Sequence, residues 1–171
     1  YINIIVKVWP TGNSPIAPGT LSSLLASVIG YFININFGSD ITFCISILSG
    51  LVGYSATKIY IKHISNKDPQ EVVIDEFSGQ MLATSAAGTS PFINLIAFIL
   101  FRFLDIFKPG IISKAEKLDG AIGIMMDDWL AGIFSVLILF FFFLNGYINY
   151  NWYLIWLIYF LKKLPKISFY I

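Results

Sequence analysis

Apolar runs broken by short polar turns set the pattern of this chain. Six can be drawn: Leu21–Phe37, Ile41–Thr57, Val72–Ala87, Phe92–Phe107, Trp129–Leu144 and Trp152–Leu161. Most fall short of the ~20 residues that a helix needs to cross a bilayer. Such segments extend into their polar flanks, thin the bilayer locally or stay re-entrant. The pattern therefore predicts an all-α, polytopic integral membrane bundle of roughly four to six membrane segments, with the first and third as candidates for half-burial. The whole chain, 1–171, reads as one membrane domain.

Composition supports this picture and removes other classes. The chain is 57% hydrophobic and 12% charged, with a mean hydropathy of +0.77. A soluble domain of this size needs far more polar residues to cover its surface. A net charge of +1 with no concentrated basic face speaks against a nucleic-acid partner. The single cysteine, Cys44, rules out an internal disulfide or a cysteine-based zinc site and is expected to pack as a small hydrophobe. His63, within "KIYIKHISNK", is expected to be a solvated loop residue, since a catalytic base needs a positioned partner.

The charges orient the segments. Lys7 precedes the first. Lys58, Lys62 and Lys67 lie between the second and third. Arg102, Lys108, Lys114 and Lys117 follow at the end of the fourth and in the loop after it, and Lys162, Lys163 and Lys166 come after the sixth. The connections "NINFGSD", "AAGTSP" and "NGYINYN" carry no basic residue. The positive-inside bias then puts both termini and both long loops in the cytoplasm, with Tyr147, Tyr150, Trp152 and Tyr153 as an outer aromatic anchor.

Acidic residues sort to the same side. "VVIDEFSGQMLA" sets Asp75 and Glu76 at the cytoplasmic start of the third segment. "FRFLDIFKP" sets Asp105 at the cytoplasmic end of the fourth, and "GIMMDDWLAG" sets Asp127 and Asp128 at the cytoplasmic start of the fifth. Helical spacing aligns Ser78, Gly79, Ala83 and Ala86 below Asp75, and Ala131, Gly132 and Ser135 below Asp128. Small residues let helices close together in lipid, so these acidic faces are expected to point inward. Arg102, Asp105 and Lys108 share one side of their helix.

Five carboxylates at one depth repel one another unless positive charge sits among them. Arg102 and Lys108 supply part of it. Oxygen ligands without His or Cys favour Mg2+, Mn2+ or Ca2+ over zinc for the rest. Intramembrane ionisable groups are functional by default, which outweighs a purely structural set of ion pairs. In "SPIAPGTLSSL", Pro18-Gly19-Thr20 starts a helix whose free N–H groups and hydroxyl can bind phosphate, though Thr20 can equally serve as a simple cap. A metal with a cationic clamp at headgroup depth suits phosphoryl chemistry on a lipid.

Four motifs in order, "SPIAPGTLSSL", "VVIDEFSGQML", "FRFLDIFKPGII" and "GIMMDDWLAGI", resemble the phosphatidylglycerophosphatase A family over about residues 14 to 133. The resemblance implies a Mg2+-dependent phosphatase that converts phosphatidylglycerophosphate into phosphatidylglycerol in the bacterial cytoplasmic (inner) membrane, its active site facing the cytoplasm. It carries the acidic catalytic and metal positions to Asp75, Glu76, Asp105, Asp127 and Asp128. Arg102 and Lys108 take the basic positions, and Gly19 and Thr20 the phosphate-binding ones. The chain departs from the family pattern at Ser22, where a glycine is expected, at Ala121 in place of the second of two glycines, and near Ile111 in place of a proline. Two other readings compete. A headgroup phosphoalcohol transferase would use a longer aspartate pattern that this chain lacks. An ion transporter would line the membrane's thickness with acids rather than gather them at one depth.

Overall fold

The computed structural model describes residues 1–64 and 69–144. The sixth apolar segment, its aromatic anchor, the basic tail after it and Lys67 lie outside the described residues, as does the side chain of His63. Among the described residues there are helices and no strands. They are α1 (Ile2–Val6), α2 (Pro18–Phe37), α3 (Ser39–Tyr60), α4 (Ile74–Ser85), α5 (Pro91–Phe107), α6 (Ile111–Glu116) and α7 (Ala121–Leu144).

The inward faces are built from small and polar residues. On α2 the buried positions are Gly19, Ser22, Ser23, Ala26, Ser27, Gly30 and Asn34, while Leu24, Val28, Phe32 and Ile35 are exposed. On α3 the buried set is Thr42, Ser46, Gly50, Gly53, Ala56, Thr57 and Tyr60, with Leu48, Leu51 and Val52 turned out. A water-soluble bundle would invert this arrangement. Here lipid tails solvate the large apolar side chains, and close packing holds the helices together. α2, α3 and α7 are each long and apolar enough to cross a membrane.

α4 is the exception that organises the rest. Its 12 residues span only ~18 Å, too short for a hydrocarbon core of about 30 Å. It is sheathed by α2, α3, α5 and α7, and every residue from Ser78 to Ser85 is buried. The third segment, a candidate for half-burial from its sequence, thus forms a helix of 12 residues, too short to span. The first is not so short, because α2 takes in Pro18-Gly19-Thr20 and reaches 20 residues. Pro18 occupies the first helical turn, where its missing N–H costs nothing.

Glycines set how closely α4 is approached. A Cβ on Gly79 would lie 2.6 Å from the Asp128 carbonyl oxygen, and one on Gly132 would lie 2.6 Å from the Gly79 carbonyl oxygen. α4 and α7 therefore cross backbone to backbone at this level. Gly50 takes the Trp129 ring, and Gly53 takes Ile74.

Two expectations need correction. Cys44 is exposed on α3 and does not pack in the core; its side of the helix is the one that carries the outward apolar residues. The fifth segment was expected to begin at Trp129, with the aspartate pair at its mouth. Instead α7 starts at Ala121, since Gly120, at φ +73°, makes the turn into it. Asp127 and Asp128 therefore lie within the helix, about 10 Å from its start at 1.5 Å per residue.

Gly79→Ala is expected to force α4 and α7 apart and cost ~1–3 kcal/mol, read as a fall in Tm of the detergent-solubilised protein. Leu48→Ala, on an exposed face, should leave Tm nearly unchanged. Equal losses in both variants would contradict the close crossing.

Candidate functional site

The motif residues converge at one end of the bundle: the start of α2, the first turn of α4, the last turn of α5 and the second turn of α7 line the same cavity. Asp75 and Glu76 form the first turn of α4. Val73, just before that helix, is fixed from both sides: its N–H donates to the Val6 carbonyl at 2.8 Å, and its own carbonyl accepts from Ser22 Oγ at 2.8 Å. Ser22, one departure from the family pattern, thus anchors the element that carries two carboxylates. Around this point Lys7 Nζ pairs with Glu71 at 2.6 Å, and the Tyr60 hydroxyl donates to the same carboxylate.

Asp105 sits in the last turn of α5 and pairs with Arg102 one turn earlier. Arg102 also donates to Thr20 Oγ1 at 3.2 Å and to Ser23 Oγ at 3.3 Å, which ties α5 to the start of α2. Lys108 ends α5 with φ +44°. Its ammonium lies 2.8 Å from Asp127 and 2.5 Å from Glu116. α6 begins at Ile111 after Gly110 at φ +59°. Ile111, near which the family pattern was expected to have a proline, stands at the first position of α6, a place that proline favours.

All nine residues singled out from the sequence line one cavity of about 630 Å³: Gly19, Thr20, Asp75, Glu76, Arg102, Asp105, Lys108, Asp127 and Asp128. The structure divides the five acids. Asp105 and Asp127 each have a cationic partner. Asp75, Glu76 and Asp128 offer carboxylate oxygens that all lie within 4.8 Å of one another. Two oxygens there, Glu76 Oε2 and Asp128 Oδ1, are buried without a hydrogen-bond partner. Unpartnered buried carboxylate oxygens are costly, and an oxygen-only set suits a hard divalent cation. The residues present therefore fit such an ion, which Asp75, Glu76 and Asp128 would hold. Gly19 makes room for this group, because a Cβ there would run into the Glu76 carboxylate.

Sequence reasoning missed Ser23 and Glu116. Ser23 was within reach of it, lying one turn beyond Thr20 on the same helix face. Glu116 was not: its link to Lys108 depends on the chain reversing at Gly110.

Lys108 and Glu71, outside the membrane segments, are displaced from their ordinary values. Burial works to lower the Lys108 pKa, but hydrogen bonds with Asp127 and Glu116 outweigh it and raise it, so Lys108 stays cationic. Glu71 is lowered, first by its hydrogen bond from Lys7 and then by that from Tyr60, against a smaller opposing effect of burial. A depressed carboxylate adds stability above its unfolded pKa and loses it as pH falls through the folded one.

The fold and site define a helical membrane protein with a charged cavity at one end, able to hold a divalent cation beside two fixed cationic side chains. Comparison with known proteins makes this more specific. The family model for phosphatidylglycerophosphatase A matches residues 4–143. Similar curated proteins include one from Bacteroides thetaiotaomicron that carries the provisional name phosphatidylinositol-3-phosphatase, 36% identical over 138 residues, covering 75% of this chain and 85% of that protein. The phosphatidylglycerophosphatase A of Haemophilus influenzae is 34% identical over 141 residues, 81% of this chain and 86% of its own length. That of Escherichia coli is 32% identical over 142 residues, 81% of each. No solved structure matches the chain significantly. The chain belongs to the phosphatidylglycerophosphatase A family, and it is an enzyme of the phosphatase class.

Glu71→Gln should lower Tm near neutral pH. The gap to the unmodified protein should close as pH drops below about 4.5, the ordinary glutamate value. A gap that widens on acidification would contradict the depressed pKa.

Proposed function

We propose that the protein hydrolyses the terminal phosphomonoester of phosphatidylglycerophosphate to phosphatidylglycerol, using Mg2+, at the cytoplasmic face of a bacterial inner membrane. The observation that carries this reading is the meeting, in one cavity, of the Asp75–Glu76–Asp128 oxygens with Arg102, Lys108 and Thr20. The orientation rests on the basic residues. Lys7, Lys58, Lys62, Lys108, Lys114 and Lys117 all flank the cavity end of the helices, whereas the α2–α3 and α4–α5 connections have none, as the positive-inside bias requires.

The chain's own residues account for binding and geometry. Arg102, held by Asp105, Thr20 and Ser23, presents a guanidinium fixed in direction, which suits the oxygens of a phosphomonoester. Lys108, at the end of the same helix, adds a second point charge to the cavity. The N-terminal turn of α2, with the Thr20 hydroxyl, contributes donors to the same anion. When bound by Asp75, Glu76 and Asp128, Mg2+ would supply charge neutralisation and Lewis-acid polarisation. In the overall reaction a water oxygen bonds to phosphorus, the bond from phosphorus to the glycerol oxygen breaks, and that oxygen leaves protonated. The apolar outer faces of α2 and α5 keep the acyl chains in the bilayer while the headgroup reaches the cavity.

A second reading is favoured by the Bacteroides relative: a phosphomonoester on an inositol lipid presents the same dianion beside a phosphodiester. A phosphate-release assay on phosphatidylglycerophosphate, phosphatidylinositol-3-phosphate and phosphatidic acid vesicles, with Mg2+ or with chelator, separates the two. Turnover of the first, lost on chelation, is expected. Preference for the inositol lipid would move the assignment, and release from none would overturn it. Asp128→Asn and Arg102→Ala should each lower kcat/KM by roughly 10²–10³-fold with membrane insertion intact. Undiminished turnover by either would remove that residue from the site.

A further inference from the structure

Lys108 is held by two carboxylates of very different standing. Asp127 lies in α7 with its side chain 8% exposed, whereas the Glu116 side chain is 46% exposed at the end of α6. One ammonium thus faces a buried partner at 2.8 Å and a surface partner at 2.5 Å. Glu116 also lines the cavity in which a phosphate would meet Lys108.

We propose that Glu116 is a placeholder for the substrate phosphate: in the lipid-free protein its carboxylate pairs with Lys108 at the cavity, and an incoming phosphomonoester displaces it. Glu116 therefore sets the affinity for phosphate by competing with it. This rests on the phosphatase reading above, which places the phosphate beside Lys108.

The displacement requires little. A half-exposed ion pair contributes modestly, since water and salt screen it and its side chains lose rotamer freedom in forming it. A phosphate dianion brings more charge and more acceptor oxygens to the same ammonium. The exchange needs only a rotation of the Glu116 side chain. α6 itself stays in place, because Ile112 and Ala115 are buried, and α7 packs so closely on its end that a Cβ on Gly123 would collide with the Leu118 carbonyl just after α6. The exchange leaves Asp127 on Lys108, so the ammonium is never left without a carboxylate. Lys108 also remains aimed at the cavity while the site is empty of lipid, ready for the next headgroup.

The test uses the full chain in detergent. Glu116→Gln, which removes the charge and keeps the shape, should lower KM for the lipid phosphomonoester. It should also tighten inorganic phosphate, measured both as a competitive inhibitor and by calorimetry, by roughly three- to fivefold, the scale of one exposed ion pair. Glu116→Asp keeps the charge and should bind phosphate more weakly than Glu116→Gln. If the glutamine variant does not fold, Glu116→Ala takes its place with the same expected direction. Unchanged or weaker phosphate binding in the neutral variants would overturn the proposal and make Glu116 a positioning residue for Lys108. The phosphatase reading is judged separately, by turnover of the unmodified protein on lipid.

Discussion

Charge repulsion among buried carboxylates is the constraint that the rest of this structure answers. Asp75, Glu76 and Asp128 place oxygens within 4.8 Å of one another on helices that enter a membrane. Two unit charges at such a separation, at an effective dielectric of ~20, interact by roughly 3–4 kcal/mol. Three such pairs would cost on the order of 10 kcal/mol, comparable to the whole stability of an ordinary domain. Asp105 and Asp127 escape this through Arg102 and Lys108. The other three have no basic side chain paired with them among the described residues, which is why a divalent cation belongs in the proposed function.

That constraint explains the shape of the core. Bringing three helices to one point requires backbones closer than large side chains allow. Gly79 and Gly132 provide the contact between α4 and α7, and Gly19 leaves room for the Glu76 carboxylate. α4 is short because its task is to present its first turn, and its buried remainder is clasped by its neighbours. Asn34 of α2 donates to the Thr84 and Gly88 carbonyls. It thus satisfies carbonyls at the C-terminal end of α4, which have no partner within the helix.

Much of this was legible in the sequence, for identifiable reasons. The carboxylates could be placed because each lies beside a polar break in an apolar run, and the inward faces because small residues recur at helical spacing beneath the acids. The true start of α7 was hidden: "AIGIMMDD" is apolar enough to continue the helix, and Gly120 masks the boundary as part of a loop. The division of five acids into two paired and three clustered was also hidden. It depends on which cation reaches which carboxylate across helices, and Lys108 is re-aimed by its positive φ. Glu116 escaped notice because it reaches Lys108 only through the turn at Gly110.

Divalent-ion binding itself tests the account most directly. Mn2+ titrated into the purified, metal-free protein and followed by electron paramagnetic resonance should show saturable binding that competes with Mg2+. Binding should be lost in Asp128→Asn and retained in Asp105→Asn, whose carboxylate pairs with Arg102 instead. Absence of saturable binding, or equal binding by all three proteins, would contradict the assignment of Asp75, Glu76 and Asp128 as the metal-holding set.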